Sequence, residues 1–120
     1  MAFRITEREL VVPSLYLMNK QLNGRISTSL LINLLTRMMR PTGTDAEILY
    51  DRQDTYFSQK VRNLKSHDTL SKLGVATNVY GGFMITPYGK MYLQQNLYQT
   101  SNIIWQIIHN RTFWFPLLLR

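Results

Sequence analysis

Residues 54–66 constrain the fold more than any other stretch, because they have the pattern of a helix with two opposed faces. Phe57, Val61 and Leu64 are spaced so that three apolar side chains form one stripe of an α-helix. The opposite side is polar throughout and consists of Thr55, Gln59, Arg62, Asn63 and Ser66, with Lys60 and Lys65 at its edges. The pattern predicts that the stripe faces a core and the polar side faces solvent, with Asp54 capping the helix.

The polar side of this helix contains no carboxylate, although solvated helix faces usually combine Glu with Lys. Arginine can donate two hydrogen bonds to guanine, asparagine and glutamine can pair with adenine, and lysine neutralises phosphate. The pattern therefore favours a helix that contacts DNA. An ordinary solvated surface helix is the alternative.

Charge and composition also favour a polyanionic partner. The 120-residue chain has 14 Lys and Arg against 7 Asp and Glu, a net charge of +7 and a pI near 10.0. Nucleic acid is the first candidate for such a partner, and an acidic membrane surface is the second. Cysteine is absent, no signal-peptide pattern is present, and no apolar run reaches the roughly 18 residues of a transmembrane helix. We expect a cytoplasmic, nucleoid-associated protein with no membrane partner.

Two helices are predicted before this region. The first lies within residues 6–22, and Pro13 is compatible with it only in the first helical turn. Residues 25–27 are long enough for only a very short strand. The second helix begins after the hydroxyl groups of residues 27–29 and is stopped by Pro41.

The connection that follows is long and polar. Its middle, residues 45–50, has the pattern of one or two helical turns, with Ile48 and Leu49 as apolar anchors. A tight helix-turn-helix has a turn of about 3–4 residues. The angle between the second and third helices therefore does not follow from the sequence.

A β-hairpin and a last helix are predicted after residue 66. Two β-prone runs, residues 73–80 and 83–86, flank Gly81-Gly82, a pair that can take positive φ in a tight turn. Tyr80 and Phe83 are expected to pack across the two strands. The last helix begins at Pro87 and extends toward residue 108, with Thr86 as its cap.

Three short motifs occur in this order of elements. They are Ile26-Ser-Thr-Ser29, Arg52-x-Asp54-x-x-Phe57-Ser58-Gln59-Lys60-Val61-Arg62-Asn63-Leu64-x-Ser66-His67, and Ile85-Thr-Pro-x-Gly89. With them, residues 8–95 resemble the small winged-helix modules attached to prokaryotic restriction endonucleases and related nucleases. The resemblance implies a mainly α fold with a small antiparallel β-hairpin: a winged helix-turn-helix plus a C-terminal helical extension.

The resemblance also implies a function and a set of contacts. In such modules the third helix and the wing recognise double-stranded DNA, in some cases its base modification such as methylation, for a separate nuclease domain. By position, the outer side of the third helix would contact bases. The flanks of this helix and His67 would contact phosphates, and Asn78 and Tyr80 would contact DNA from the wing. The predicted DNA contacts are Thr55, Gln59, Lys60, Arg62, Asn63, Lys65, Ser66, His67, Asn78 and Tyr80.

Residues 6–96 are predicted to form this domain, and residues 97–120 an apolar C-terminal extension. The extension ends in a run of bulky apolar residues that, if exposed, would promote aggregation. We expect it to pack on this chain, form a homodimer or connect to a nuclease domain of a longer chain.

No catalytic residue, metal site or cofactor is predicted. Asp51 and Asp54 lack the accompanying residues of a paired-carboxylate nuclease, His67 is expected at a helix end, bonded to a final carbonyl, and His109 has no companion ligand. The alternatives to DNA binding are a winged-helix module for protein interaction or dimerisation, then a transcriptional regulator and a self-sufficient nuclease.

Overall fold

The structure is a computed structural model that describes residues 5–48 and 54–96. Its helices are α1 (Val11–Asn19), α2 (Thr28–Met39), α3 (Tyr56–Ser66), α4 (Thr69–Lys72) and α5 (87–96). Its strands are β1 (Arg25–Ser27), β2 (Ala76–Val79) and β3 (Gly82–Ile85), joined as one antiparallel sheet in the order β1–β3–β2. The expectation of a mainly helical fold with a small antiparallel β element is confirmed.

Prolines and hydroxyl caps set the helix ends where the sequence predicts them. Pro13 lies in the first turn of α1, where its missing N–H has no helical partner to lose. Ser27 caps α2, since its side chain accepts a hydrogen bond of 3.1 Å from the amide of Leu30. At the other end Arg40 takes a left-handed conformation directly before Pro41, and α2 stops.

The predicted hairpin is confirmed, and β1 adds a third strand to it. Residues 80 and 81 form the turn between β2 and β3, and Gly81 has a φ of 75°. In β3, Gly82 lies opposite Ser27 of β1, so close that a Cβ there would overlap the carbonyl oxygen of Ile26. Glycine at this position therefore lets the sheet close.

The core lies between the sheet and the first three helices. α1 packs on α2 and on β3, and α3 packs on α2. The largest fully buried side chains of the core include Leu15, Leu35, Phe57, Leu64 and Phe83. Burial of each such side chain contributes about 1.5–3 kcal/mol before entropy is subtracted. The core therefore fixes the position of α3 relative to the sheet.

Two expectations about the connections are wrong. The helical turn after Pro41 is a 3₁₀ turn at Gly43–Ala46, earlier than expected, and Ile48 is 69% exposed instead of anchored. The backbone of Ile48 forms a bridge with Thr55, while Asp45 is the residue that enters the interior. Leu49 lies outside the described residues. In addition, α4 directly follows α3 where no helix was predicted.

The start of α5 is confirmed. Thr86 Oγ1 accepts a hydrogen bond of 2.9 Å from the amide of Gly89, which caps the helix at Pro87. The predicted continuation toward residue 108 and the extension at residues 97–120 lie outside the described residues. Within the described ranges, every helix is too short or too polar to cross a membrane.

Candidate functional site

The candidate site is the outer side of α3 together with the neighbouring β2–β3 hairpin. α3 begins with a capping box: Thr55 Oγ1 accepts from the amide of Ser58 at 3.0 Å, and Ser58 Oγ accepts from the amide of Thr55 at 2.8 Å. Thr55 is therefore the cap, and the expectation that Asp54 has this role is wrong. Thr55, predicted as a DNA contact, uses its hydroxyl within the helix.

The two faces of α3 are arranged as predicted. Phe57, Val61 and Leu64 are completely buried. On the opposite side, Arg62 and Ser66 are exposed, and Gln59 and Asn63 are partly exposed. We call these four residues the polar face. They lie along one side of the helix because they repeat at intervals of three or four residues.

Two amides on the polar face hold each other. Gln59 Nε2 donates a hydrogen bond of 3.0 Å to Asn63 Oδ1 across one helical turn. The Asn63 oxygen has a second lone pair, and its amide group has two N–H donors. Asn63 therefore keeps both a donor and an acceptor for a molecule that approaches from solvent.

A carboxylate lies beside the polar face although none is in the helix. Asp54 forms two hydrogen bonds with Arg62: Arg62 Nε lies 3.2 Å from Oδ2, and Nη2 lies 3.0 Å from Oδ1. The side chain of Arg62 is 46% exposed and that of Asp54 is 22% exposed. The face is thus less purely cationic than the sequence of the helix predicts.

Lys60 turns inward and does not lie on the polar face. Its Nζ is 2.8 Å from Oδ1 of Asp45, whose side chain is fully buried, and it also donates to the carbonyl of Ile5. Only 16% of the Lys60 side chain is exposed. The prediction of an outward ammonium beside phosphate is corrected here, because a buried carboxylate 15 residues away attracts it.

Lys65 joins α3 to the hairpin. Its Nζ donates a hydrogen bond of 2.8 Å to the carbonyl of Val79 and lies 5.5 Å from the ring centre of Phe83. This position leaves Lys65 partly buried at the seam between helix and sheet. The side chain predicted to approach phosphate is therefore already engaged with the hairpin.

His67 lies at the end of α3, as expected, but its ring has another partner. Its amide donates to the carbonyl of Asn63 at 2.8 Å, while its Nδ1 lies 3.0 Å from Oε1 of Glu7. Glu7 also accepts from the hydroxyl of Thr69. The ring thus connects α3 to the segment before α1.

The hairpin places its two predicted contacts differently. Tyr80 is 97% exposed at the turn, and Asn78 donates a hydrogen bond of 3.2 Å to Asp68. The predicted packing of Tyr80 on Phe83 is wrong, because Phe83 is buried and lies opposite Asn78. Arg25 supports the turn from β1, since its Nη2 donates to the carbonyl of Tyr80 at 3.2 Å.

A cleft near the beginning of α3 adds positive charge that the sequence did not indicate. It has a volume of about 480 Å³. Its lining consists of Thr36, Arg37, Arg40, Pro41, Thr42, Ala46 and Thr55. Arg37 lies in the last turn of α2 and Arg40 directly follows that helix, and the fold brings both next to the cap of α3.

Sequence reasoning missed Asp45, Arg25 and the role of Asp54. Arg25 contacts a residue 55 positions away, and Asp45 contacts residues 40 and 15 positions away, so no local pattern reveals these contacts. Asp54 lies before the helix, eight residues from Arg62, which is farther than the three or four residues at which helical side chains usually pair, so their spacing did not indicate the contact.

Comparison with known proteins found no match: no protein family model, no curated protein and no solved structure is similar to this chain. In the described part of the chain, no three His, Cys, Asp or Glu side chains cluster closely enough to hold a metal ion.

Proposed function

We propose that this chain binds double-stranded DNA, with α3 in the major groove and the β2–β3 hairpin acting as the wing of a winged helix. The observation that carries the proposal is the polar face: it is accessible to solvent on a helix whose other side is completely buried. Asn63 and Arg62 offer the donors and acceptors that base edges require.

The position of α3 supports this proposal. Phe57 and Val61 hold it in the core, while Lys60 and Lys65 attach its two flanks to neighbouring segments. A helix fixed in this way can present its outer side chains to DNA without first becoming ordered, which lowers the entropic cost of binding.

The revised positions of the lysines move the proposed phosphate contacts elsewhere. Lys60 is bound to Asp45 and Lys65 to the hairpin, whereas Arg37 lines the cleft beside the cap of α3. With a net charge of +7, the protein attracts a polyanion, and counterions released from phosphate make such binding salt-dependent. We therefore assign a phosphate contact to Arg37, which is exposed in the last turn of α2.

The role proposed within a larger enzyme rests on the resemblance of the three motifs to winged-helix modules of restriction endonucleases. We propose that the chain is the specificity module of a prokaryotic restriction endonuclease, acting in the cytoplasm at the nucleoid, with catalysis supplied by a separate nuclease domain. Recognition of a methylated base and a homodimer through residues 97–120 belong to the same proposal.

A gel-shift titration of the full chain tests DNA binding. A complex that migrates more slowly than free DNA should form with random duplexes at low salt. Its affinity should fall steeply as salt rises, because phosphate contacts release counterions. Duplexes selected from a random library should then bind Arg62→Ala about 10-fold or more weakly, the effect of losing one bidentate base contact.

The charge-matched control is Lys90→Ala, since Lys90 is exposed on α5 and lines a cavity with residues of α1, away from the polar face. It should bind the selected duplexes within about two-fold of the wild-type protein. Equal losses for Arg62→Ala and Lys90→Ala, or equal losses of Arg62→Ala on selected and unrelated duplexes, would contradict the proposed role of the polar face.

A second candidate, a protein-interaction module, has support from α5. Tyr88 and Met91 are exposed on one side of this helix, and Leu73 is exposed just before Gly74, which lies beside the Tyr88 ring. An interaction module should show little salt-dependent binding to DNA. The same titration therefore separates the two candidates.

A further inference from the structure

The pairing of Asp54 with Arg62 leaves a specific part of the guanidinium group exposed. A guanidinium has five N–H donors in a fixed plane. Asp54 takes the Nε–H and one N–H of Nη2, along the side of the group. Two N–H of Nη1 and one of Nη2 are left at its outer end. That end can donate two parallel hydrogen bonds, the arrangement that the O6 and N7 atoms of guanine accept.

Asp54 is itself held in place. Ser58 Oγ lies 3.2 Å from Oδ1 of Asp54, at hydrogen-bond distance. Ser58 is buried and is fixed by the capping box with Thr55. A carboxylate ahead of the first turn is also favoured by the positive end of the helix dipole. The carboxylate is therefore anchored to the helix, and the longer arginine side chain is oriented against it.

We propose that Asp54 is a positioning residue that holds Arg62 for recognition of guanine and disfavours contact between Arg62 and phosphate. The proposal rests on the DNA-binding function proposed above. A free arginine side chain has many rotamers, and holding it in one before binding reduces the entropy lost on contact. A phosphate that approached Arg62 would meet the negative charge of Asp54, whereas the edge of guanine is neutral.

The first test uses the free protein and measures the order of the Arg62 side chain. In wild-type protein, nitrogen relaxation of the Arg62 Nε–H group should show restricted motion. In Asp54→Asn, which keeps the shape of the side chain but removes its charge, the same group should become clearly more mobile. Equal order parameters in the two proteins would overturn the proposal without reference to DNA.

The second test measures discrimination. A duplex selected by the wild-type protein is compared with the same duplex in which individual guanines are replaced by 7-deazaguanine, which lacks the N7 acceptor. Wild-type binding should fall about 10-fold at one position, and Asp54→Asn should reduce this ratio to about three-fold or less. Binding of Asp54→Asn to unrelated duplexes should stay equal or become tighter.

The matched control is Glu47→Gln. Glu47 is an exposed carboxylate near the same end of α3, because its carbonyl accepts from the amide of Tyr56. Glu47→Gln changes the net charge by the same amount and should keep the full discrimination of the wild-type protein. If Glu47→Gln and Asp54→Asn lose discrimination equally, the effect is general electrostatics and the positioning role is overturned.

The outcomes separate this inference from the function on which it rests. Wild-type protein that binds no duplex overturns both. Wild-type protein that binds duplexes with salt dependence, but with the same 7-deazaguanine ratio as Asp54→Asn, overturns only the role of Asp54. A circular dichroism melt of Asp54→Asn should show a folded protein, since the capping box of Thr55 and Ser58 does not require the carboxylate.

Discussion

The flanks and the outer face of α3 are made from similar polar residues, yet they differ in what they contact. On the flanks, Lys60 and Lys65 are bound to Asp45 and to the carbonyl of Val79, and they hold the helix in the fold. On the outer face, the side chain of Arg62 pairs with Asp54 and that of Asn63 with Gln59, and both side chains stay accessible. The difference shows that a partner distant in sequence decides whether a polar side chain is held within the fold or stays accessible to solvent.

The largest effect on stability should come from removing the ion pair that Lys60 forms on one flank of α3. Lys60→Met removes the lysine partner of a fully buried carboxylate, and breaking a buried ion pair lowers the free energy of unfolding by about 3–5 kcal/mol. Urea unfolding followed by circular dichroism measures the change. Lys90→Met, the control at an exposed lysine, should stay within about 0.5 kcal/mol of the wild-type protein. Similar midpoints for both variants would mean that the Asp45 pair does not hold α3.

A smaller effect is expected at the beginning of the helix. Thr55→Ala removes the cap and should lower the free energy of unfolding by about 1 kcal/mol. Ser29→Ala, at an exposed serine in the first turn of α2, is the control and should change it by about 0.5 kcal/mol or less. Thermal melts of the two variants measure the difference. A Thr55→Ala protein as stable as Ser29→Ala would show that the capping box contributes little.

The smallest effect on stability should follow from truncating the side chains of the outer face of α3. The double variant Arg62→Ala/Asn63→Ala loses one partly exposed ion pair and one partly exposed amide contact, so its free energy of unfolding should fall by about 1 kcal/mol or less. The same variant should lose its preference for selected duplexes. A large loss of stability would indicate that these residues hold the fold and would remove the contrast with Lys60.

Local chemistry was sufficient to predict most of the helices and strands, although not α4. Ser27, Pro41 and Pro87 mark helix ends through hydrogen bonds and steric effects that operate over a few residues, and Gly81-Gly82 marks the hairpin turn. The apolar stripe of α3 was predicted for the same reason. Each of these features depends on spacing along the chain, which the sequence shows directly.

The parts that could not be predicted depend on contacts between distant segments. The inward turn of Lys60 requires Asp45, which reaches the interior only because the 3₁₀ turn at Gly43–Ala46 packs on α3. The exposure of Tyr80 and burial of Phe83 depend on where the two-residue turn begins, since a shift by one residue changes which side chains face the core. Spacing alone does not determine either outcome.

Asp45 also links the amino-terminal segment to the interior. Its Oδ2 accepts a hydrogen bond of 2.8 Å from the amide of Ile5, its Oδ1 pairs with Lys60, and Lys60 in turn donates to the carbonyl of Ile5. These bonds connect Ile5, Asp45 and Lys60 in a closed ring. Separation of Ile5 would therefore remove a hydrogen bond from each of the two charged side chains. Residue 5 should consequently separate from α3 only when the whole domain opens, and its amide should exchange with deuterium as slowly as that of Val61.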